Sequence, residues 1–292
     1  MIHRKFMFML FLISAVYGEG AAQTDRRRGP VIRQADQILI ESDDPTVLFA
    51  FFTDTLQLPV AWPITGNAGF TSGGVGVGNV TLGLFRYADR EKLTDSKAPK
   101  ARYTGIAFEP YPLEDALAEL KIRGIPFDPP EPHVAVLPDG TRGTQSTTVV
   151  LPSLSLPGLS IFLYEYSPAF LDVQVRRRQL GNRLALNKGG PLGILSSYEI
   201  VIASKDMQAD KVEWEKLIGN PGQSGKWRAG EGPAIRLVEY AGYGIRKIVL
   251  RVESLHQTGS ALEQRQMLGP FSDEEVCLDA SKVQGLNICF ME

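Results

Sequence analysis

The stretch Gln37–Pro59, QILIESDDPTVLFAFFTDTLQLP, decides the fold because its grammar recurs four times along the chain. It opens with one variable residue, an Ile and two apolar residues, the run of a short buried strand. Asp44 is placed to cap a helix, Pro45 suits the first helical position, and Leu48, Phe51, Phe52 and Leu56 fall at helical spacing before Pro59 ends the pattern. The same opening recurs as Gly105-Ile106-Ala107-Phe108, Glu199-Ile200-Val201-Ile202 and Lys247-Ile248-Val249-Leu250. The helices that follow these are PLEDALAELKIRG, SKDMQADKVEWEKLIG and SLHQTGSALEQRQMLG, with Ser204 and Ser254 as caps and Gly124, Gly219 and Gly269 as stops.

Beyond each helix lies a strand-rich stretch that closes alike: VTLGLFRY, LSIFLYEY, IRLVEYAG and LNICFME. Superposing these closings makes Arg86, Glu165, Glu239 and Glu292 equivalent. The unit is a strand, a helix and about three further strands. Four such βαβββ modules give an α+β protein in two halves, residues 35–166 and 192–292, with a linker over 167–191. The linker carries Arg176-Arg177-Arg178 and Gly189-Gly190-Pro191, the composition of a plain linker or of a peripheral helix plus turn, whose arginines are read as a solvated face in preference to a ligand site.

The chain has 292 residues, room for one large domain or two ordinary ones. Its 43% hydrophobic and 22% charged fractions exclude wholesale disorder and a disulfide-dense scaffold. With 31 basic against 33 acidic residues, no global positive field attracts a phosphate backbone, so nucleic acid is not an expected partner.

The repeat resembles the vicinal oxygen chelate superfamily, which includes glyoxalase I, extradiol ring-cleaving dioxygenases and bleomycin-resistance proteins. FFTDTLQLPVAWP with GFTSGGVGVGNVTLGLF is similar to the first module of glyoxalase-like proteins, and TGIAFEPYPLEDALAELKIRGIPF to the second. The resemblance implies sheets cupped in pairs around small-molecule sites. It also implies metal ligands at the start of each first strand and on each last strand. Carried over residue by residue, it offers Gln37, Arg86, Gly105 and Glu165 in the first half and Glu199, Glu239, Lys247 and Glu292 in the second.

No histidine occupies any of these positions, and His133 and His256 fall elsewhere. The candidate metal set is therefore Gln37, Glu165, Glu199, Glu239 and Glu292, an oxygen-donor set for Mn, Mg, Ca or Fe, with Glu165 the candidate catalytic residue. The competing reading places the Lys247 ammonium where a metal would sit, as an ion-pair partner for the second-half carboxylates. Two functions follow from the resemblance. One is a metal-dependent enzyme of the glyoxalase or dioxygenase type with a degenerate metal site; the other is a metal-free small-molecule binding protein like those of bleomycin resistance.

The glycine run Gly73-Gly74-Val75-Gly76-Val77-Gly78 lacks the spacing of a dinucleotide fingerprint and is read as a hairpin that brings backbone close to a ligand. Trp62, Phe70 and Tyr103 lie near strand ends, as pocket wall or, the preferred reading, as core. Tyr164 and Tyr166 should face away from Glu165, because side chains alternate along a strand. Arg4-Lys5 followed by the apolar FMFMLFLISAVY reads as a signal peptide over residues 1–22, which predicts a secreted or periplasmic protein, free of the membrane after cleavage, as monomer or homodimer. The two cysteines, Cys277 and Cys289, sit opposite each other if a hairpin centres on Val283; they form a disulfide or remain two buried thiols.

Overall fold

The computed structural model describes residues 29–67, 69–89, 99–137 and 139–292, so the segment read as a signal peptide lies outside the described residues. The first half is one eight-stranded sheet in the spatial order β2-β3-β4-β1-β5-β8-β7-β6. Its centre pairs β1 (Ile32–Ser42) antiparallel with β5 (Ala101–Pro110). Each of these first strands runs parallel to the last strand of its own module, β1 with β4 (Thr81–Tyr87) and β5 with β8 (Ser160–Tyr166). The pairs β2 (Val60–Gly66) with β3 (Phe70–Gly76) and β6 (Glu131–Val136) with β7 (Arg142–Val150) complete the two edges.

The second half repeats the scheme around β9 (Ile194–Ser204) and β11 (Gly244–Val252), again antiparallel. Its sheet has six strands, β10-β9-β11-β14-β13-β12, where β10 is Ala234–Glu239, β12 Leu268–Phe271, β13 Val276–Leu278 and β14 Ile288–Met291. The third module is therefore shorter than its repeat implies, with one strand after its helix instead of three. Its segment 219–233 is punctuated by Gly219, Pro221, Gly222, Gly225, Gly230, Gly232 and Pro233, which leaves no alternating run to pair. A single bridge, Trp227 with Ile235, remains there.

One helix covers each module: α1 (Pro45–Ala50, continued by a π turn over Phe51–Thr55), α2 (Leu113–Arg123), α4 (Met207–Ile218) and α5 (Leu255–Gln264). Helix α3 (Val173–Leu186) lies in the linker. Asp44 and Ser254 cap α1 and α5 as read from the sequence. Helix α4 is capped by Asp206 instead of Ser204, and Gly269 falls in β12, beyond the end of α5.

The faces of the sheets turned toward the helices bury Ile38, Ile40, Ile106, Phe108, Ile200, Ile248 and Phe290, and one apolar core runs through both halves. Each such side chain contributes ~1.5–3 kcal/mol relative to exposure. The halves are also tied by polar contacts. Asn79 exchanges hydrogen bonds with the Ser197 backbone (2.9 and 3.0 Å), and Arg123 donates to the last carbonyls of α4, Lys216 O and Leu217 O, both at 2.9 Å. Cys277 and Cys289 are directly opposed on β13 and β14 and form a disulfide, with Val283 buried in the turn between them.

Candidate functional site

Strand alternation sends Gln37 and Leu39 of β1, Gly83 and Phe85 of β4, and Tyr164 and Tyr166 of β8 into the concave face of the first sheet. Together with Trp62, Phe70, Tyr87 and Phe170 they enclose a cup of about 520 Å³. Trp62 and Phe70 are thus pocket wall rather than core, while Tyr103 is buried at the seam, its hydroxyl donating to Asn287 O at 2.9 Å. The glycine run does form the β3 hairpin, but it makes room for protein side chains and not for a ligand. A Cβ on Gly74 would meet the Trp62 ring at 2.5 Å, and Gly78 adopts a left-handed φ of 68° in the turn against Leu195.

The floor of the cup comes from outside the repeat. Arg176 of α3 lies 5.0 Å from the Tyr166 ring centre and 5.9 Å from that of Trp62, and it is the one charged residue among those lining the cup. Its other side reaches Asp36 at 3.1 Å, which Arg177 also holds at 3.1 Å; Arg177 in turn reaches Glu109 at 2.7 Å. Of the arginine run only Arg178 is exposed to solvent. Arg176 and Arg177 are 12% and 17% exposed and dock α3 onto carboxylates behind the cup.

The Tyr166 oxygen accepts hydrogen bonds from Gln37 Nε2 at 2.5 Å and from Arg176 Nη1 at 3.3 Å. Burial pushes the Tyr166 phenol well above its ordinary pKa, against the pull of Arg176, so it stays neutral. Burial likewise raises Tyr164, whose hydroxyl accepts from Ser146 at 2.8 Å. For Arg176 burial opposes the charge, but the Tyr166 oxygen and the Asp36 carboxylate outweigh it and raise its pKa.

Of the five residues assigned to a metal, only Gln37 enters this cup. Glu165 faces the opposite side from Tyr164 and Tyr166, as alternation requires, and accepts from Leu113 N at 2.9 Å, capping α2 where Pro112 offers no side-chain acceptor. Glu292 does the same for α5, accepting from Leu255 N at 2.6 Å. Arg86 donates to Asp43 O at 3.0 Å beside the start of α1. Glu239 is exposed at the end of β10, opposite Ser204. The four closings do share one register, but Arg86, Glu165, Glu239 and Glu292 lie one place from the cup-facing residues, and a one-residue offset turns every side chain to the other face.

The second cup, about 570 Å³, holds Val201, Arg236, Lys247, Glu275 and the Cys277–Cys289 disulfide. Glu199, 2% exposed, is clamped by Arg236 and Lys226. Lys247 serves as an ion-pair partner, but for Glu275, at 2.5 and 2.7 Å, and not for Glu199, Glu239 or Glu292.

No protein-family model matches the sequence, and no curated protein does. Solved structures do. A variant of homoprotocatechuate 2,3-dioxygenase from Brevibacterium fuscum superposes with a TM-score of 0.56 at 12% identity, covering 90% of this chain and 72% of its own. The homoprotocatechuate 2,3-dioxygenase of Arthrobacter globiformis gives 0.55 at 11% identity, covering 90% and 80%. An anaerobic complex of the Brevibacterium enzyme with 3,4-dihydroxyphenylacetate gives 0.55 at 11%, covering 90% and 81%. These extradiol dioxygenases belong to the vicinal oxygen chelate superfamily, and this chain has its fold.

The metal chemistry associated with that fold finds a poor donor set here. Behind the first cup Asp36 is held by two guanidinium groups, and Gln37 is bound to a neutral phenol. Beside the second, Glu199 is neutralised by two cations, Lys226 and Arg236. Among the described residues, Glu275, Cys277 and Cys289 form the one cluster of three potential ligand atoms, yet their sulfurs are joined to each other and the carboxylate is bound to Lys247. A disulfide offers no thiolate to an ion. The residues present do not fit a divalent metal.

Proposed function

We propose that the protein is a metal-independent small-molecule binding protein of the vicinal oxygen chelate fold, and that its ligand occupies the first-half cup. The observation that carries this reading is Arg176. A guanidinium in contact with Tyr166, which bonds Gln37, stands at the cup floor, where it would repel a cation. Aromatic walls and a few convergent polar groups are the ordinary makeup of an organic ligand site. The disulfide and the apolar N-terminal run support an exported protein working in an oxidising compartment.

The test is calorimetric titration of the purified protein with planar ring compounds, before and after exhaustive chelation, alongside elemental analysis. The expected result is binding in the cup that chelation leaves unchanged, lost on Gly83→Phe, which would fill the cup. Stoichiometric retained metal, together with metal-dependent cleavage of 3,4-dihydroxyphenylacetate, would replace this reading by a dioxygenase-like one.

A further inference from the structure

We propose that the ligand of the first-half cup is a planar molecule bearing one oxyanion, a carboxylate or its equivalent, held between the Arg176 guanidinium and the Tyr166 hydroxyl. The inference rests on the cup being a small-molecule site, and it specifies the chemistry of the occupant.

Two observations converge on the anion and a third on a hydroxyl beside it. First, the lining contains Arg176 and no carboxylate; Asp36 and Glu109 lie behind the floor. Behind the floor the two largely buried guanidinium groups, Arg176 and Arg177, share Asp36, and Arg177 also reaches Glu109, so Arg176 has only part of one carboxylate. Its face toward the cup can still donate a charge-assisted hydrogen bond to an anion. Second, the Tyr166 oxygen already accepts from Gln37 and Arg176, while its own proton has no acceptor among the described hydrogen bonds. The phenol stays protonated because it is buried, so the O–H is a donor awaiting an oxygen. Third, the Gln37 amide spends its nitrogen on Tyr166 and Asp36, which fixes which end of the amide remains; its Oε1 lies by Gly83 on the cup wall, ready to accept from a hydroxyl beside the anion.

The planar body follows from the walls. Trp62, Phe70, Phe85, Tyr87, Tyr164 and Phe170 offer ring faces and edges around a volume suited to one or two fused rings, and aromatic groups pack on one another in offset or edge-to-face arrangements. Arg176 stands against the Trp62 and Tyr166 rings, so its charge is oriented before any ligand arrives.

The experiment compares 2-naphthoate with 2-naphthamide and 2-naphthylmethanol by calorimetry on the intact protein. The acid should bind about tenfold to a hundredfold tighter than either neutral analogue, the range expected of a charge-assisted hydrogen-bond pair. Tyr166→Phe should remove about tenfold of the acid's affinity. Because Arg176→Gln alone strands Asp36, the charge-balanced pair Asp36→Asn with Arg176→Gln is used, with folding checked by circular dichroism. It should abolish the preference for the acid, so that acid and amide bind equally. If all three compounds bind equally, the cup is a ligand site but the anion assignment is wrong. If none binds, both the assignment and the reading of the cup fall.

Discussion

The first and second cups are made from the same repeated unit, yet they treat charge in opposite ways. In the second, Arg236 is held by Glu199 and Lys247 by Glu275, Asp279 accepts from Ser281 N, Arg246 lies against the Tyr240 ring, and a disulfide lies among them. In the first, the walls are aromatic, and one guanidinium arrives from a helix outside the repeat with a phenol O–H left over. A scaffold that pairs modules around concave sheets thus offers two vacancies, and side-chain neutralisation decides which stays receptive. Fold alone did not foretell this difference.

The comparison breaks most directly at Asp36. It is 2% exposed and holds two largely buried arginines, so Asp36→Ala should cost about 3–5 kcal/mol in urea unfolding and loosen α3 from the sheet. A loss below 1 kcal/mol would mean the arginines are solvated in solution and the first cup has no fixed cation. Alkali probes the same half by another route. Tyr103, Tyr164 and Tyr166 all have pKa values raised by burial, whereas the unfolded chain releases these protons near pH 10. Their contribution is therefore whole below pH 10 and is lost as pH rises beyond it, by roughly 1.4 kcal/mol per pH unit for each group that stays protonated in the folded state. Tyr103→Phe should flatten the pH 10–11.5 stability profile relative to wild type; an unchanged slope would show that Tyr103 titrates normally.

Much of this was legible beforehand. Four Ile-centred strands, each followed by a helix, and four matching closings were enough for the paired-module fold, because burial of a first strand on both sides leaves a short apolar run. The cup was harder. LSIFLYEY and VTLGLFRY show the alternation that brings Tyr164, Tyr166 and Phe85 to one face, whereas the ligand position implied by the family resemblance, Glu165, lies one place off. Arg176 left a signal too: it stands four residues before Leu180 and eight before Leu184, both buried, so helical spacing puts it on the inner face of α3. What no local pattern carries is the pairing of that helix with Asp36, 140 residues away, or the loss of two strands from the third module.

The next effect tests what the halves share. Glu165 and Glu292 cap equivalent helices from equivalent strands, but α5 also has Ser254 while α2 begins at Pro112, without a capping side chain. Glu165→Ala should therefore cost about 1–2 kcal/mol and Glu292→Ala about half as much, both without effect on ligand binding in the first cup. Loss of binding in Glu165→Ala with the fold retained would return that residue to the site and undo the assignment of faces.

The smallest effect sharpens the contrast between the cups. The Lys247–Glu275 pair has good bidentate geometry, but both side chains are about a quarter exposed, at 26% and 28%. Water replaces the ammonium when Lys247 is removed, and the desolvation already incurred by Glu275 is small. Lys247→Met should cost no more than about 1 kcal/mol in chemical denaturation, several times less than Asp36→Ala. A cost equal to that at Asp36 would mean that the second cup is drier than its side-chain exposure indicates. Its ion pairs would then be held as tightly as those under the first cup, and an open site set against a neutralised one would no longer describe the two halves.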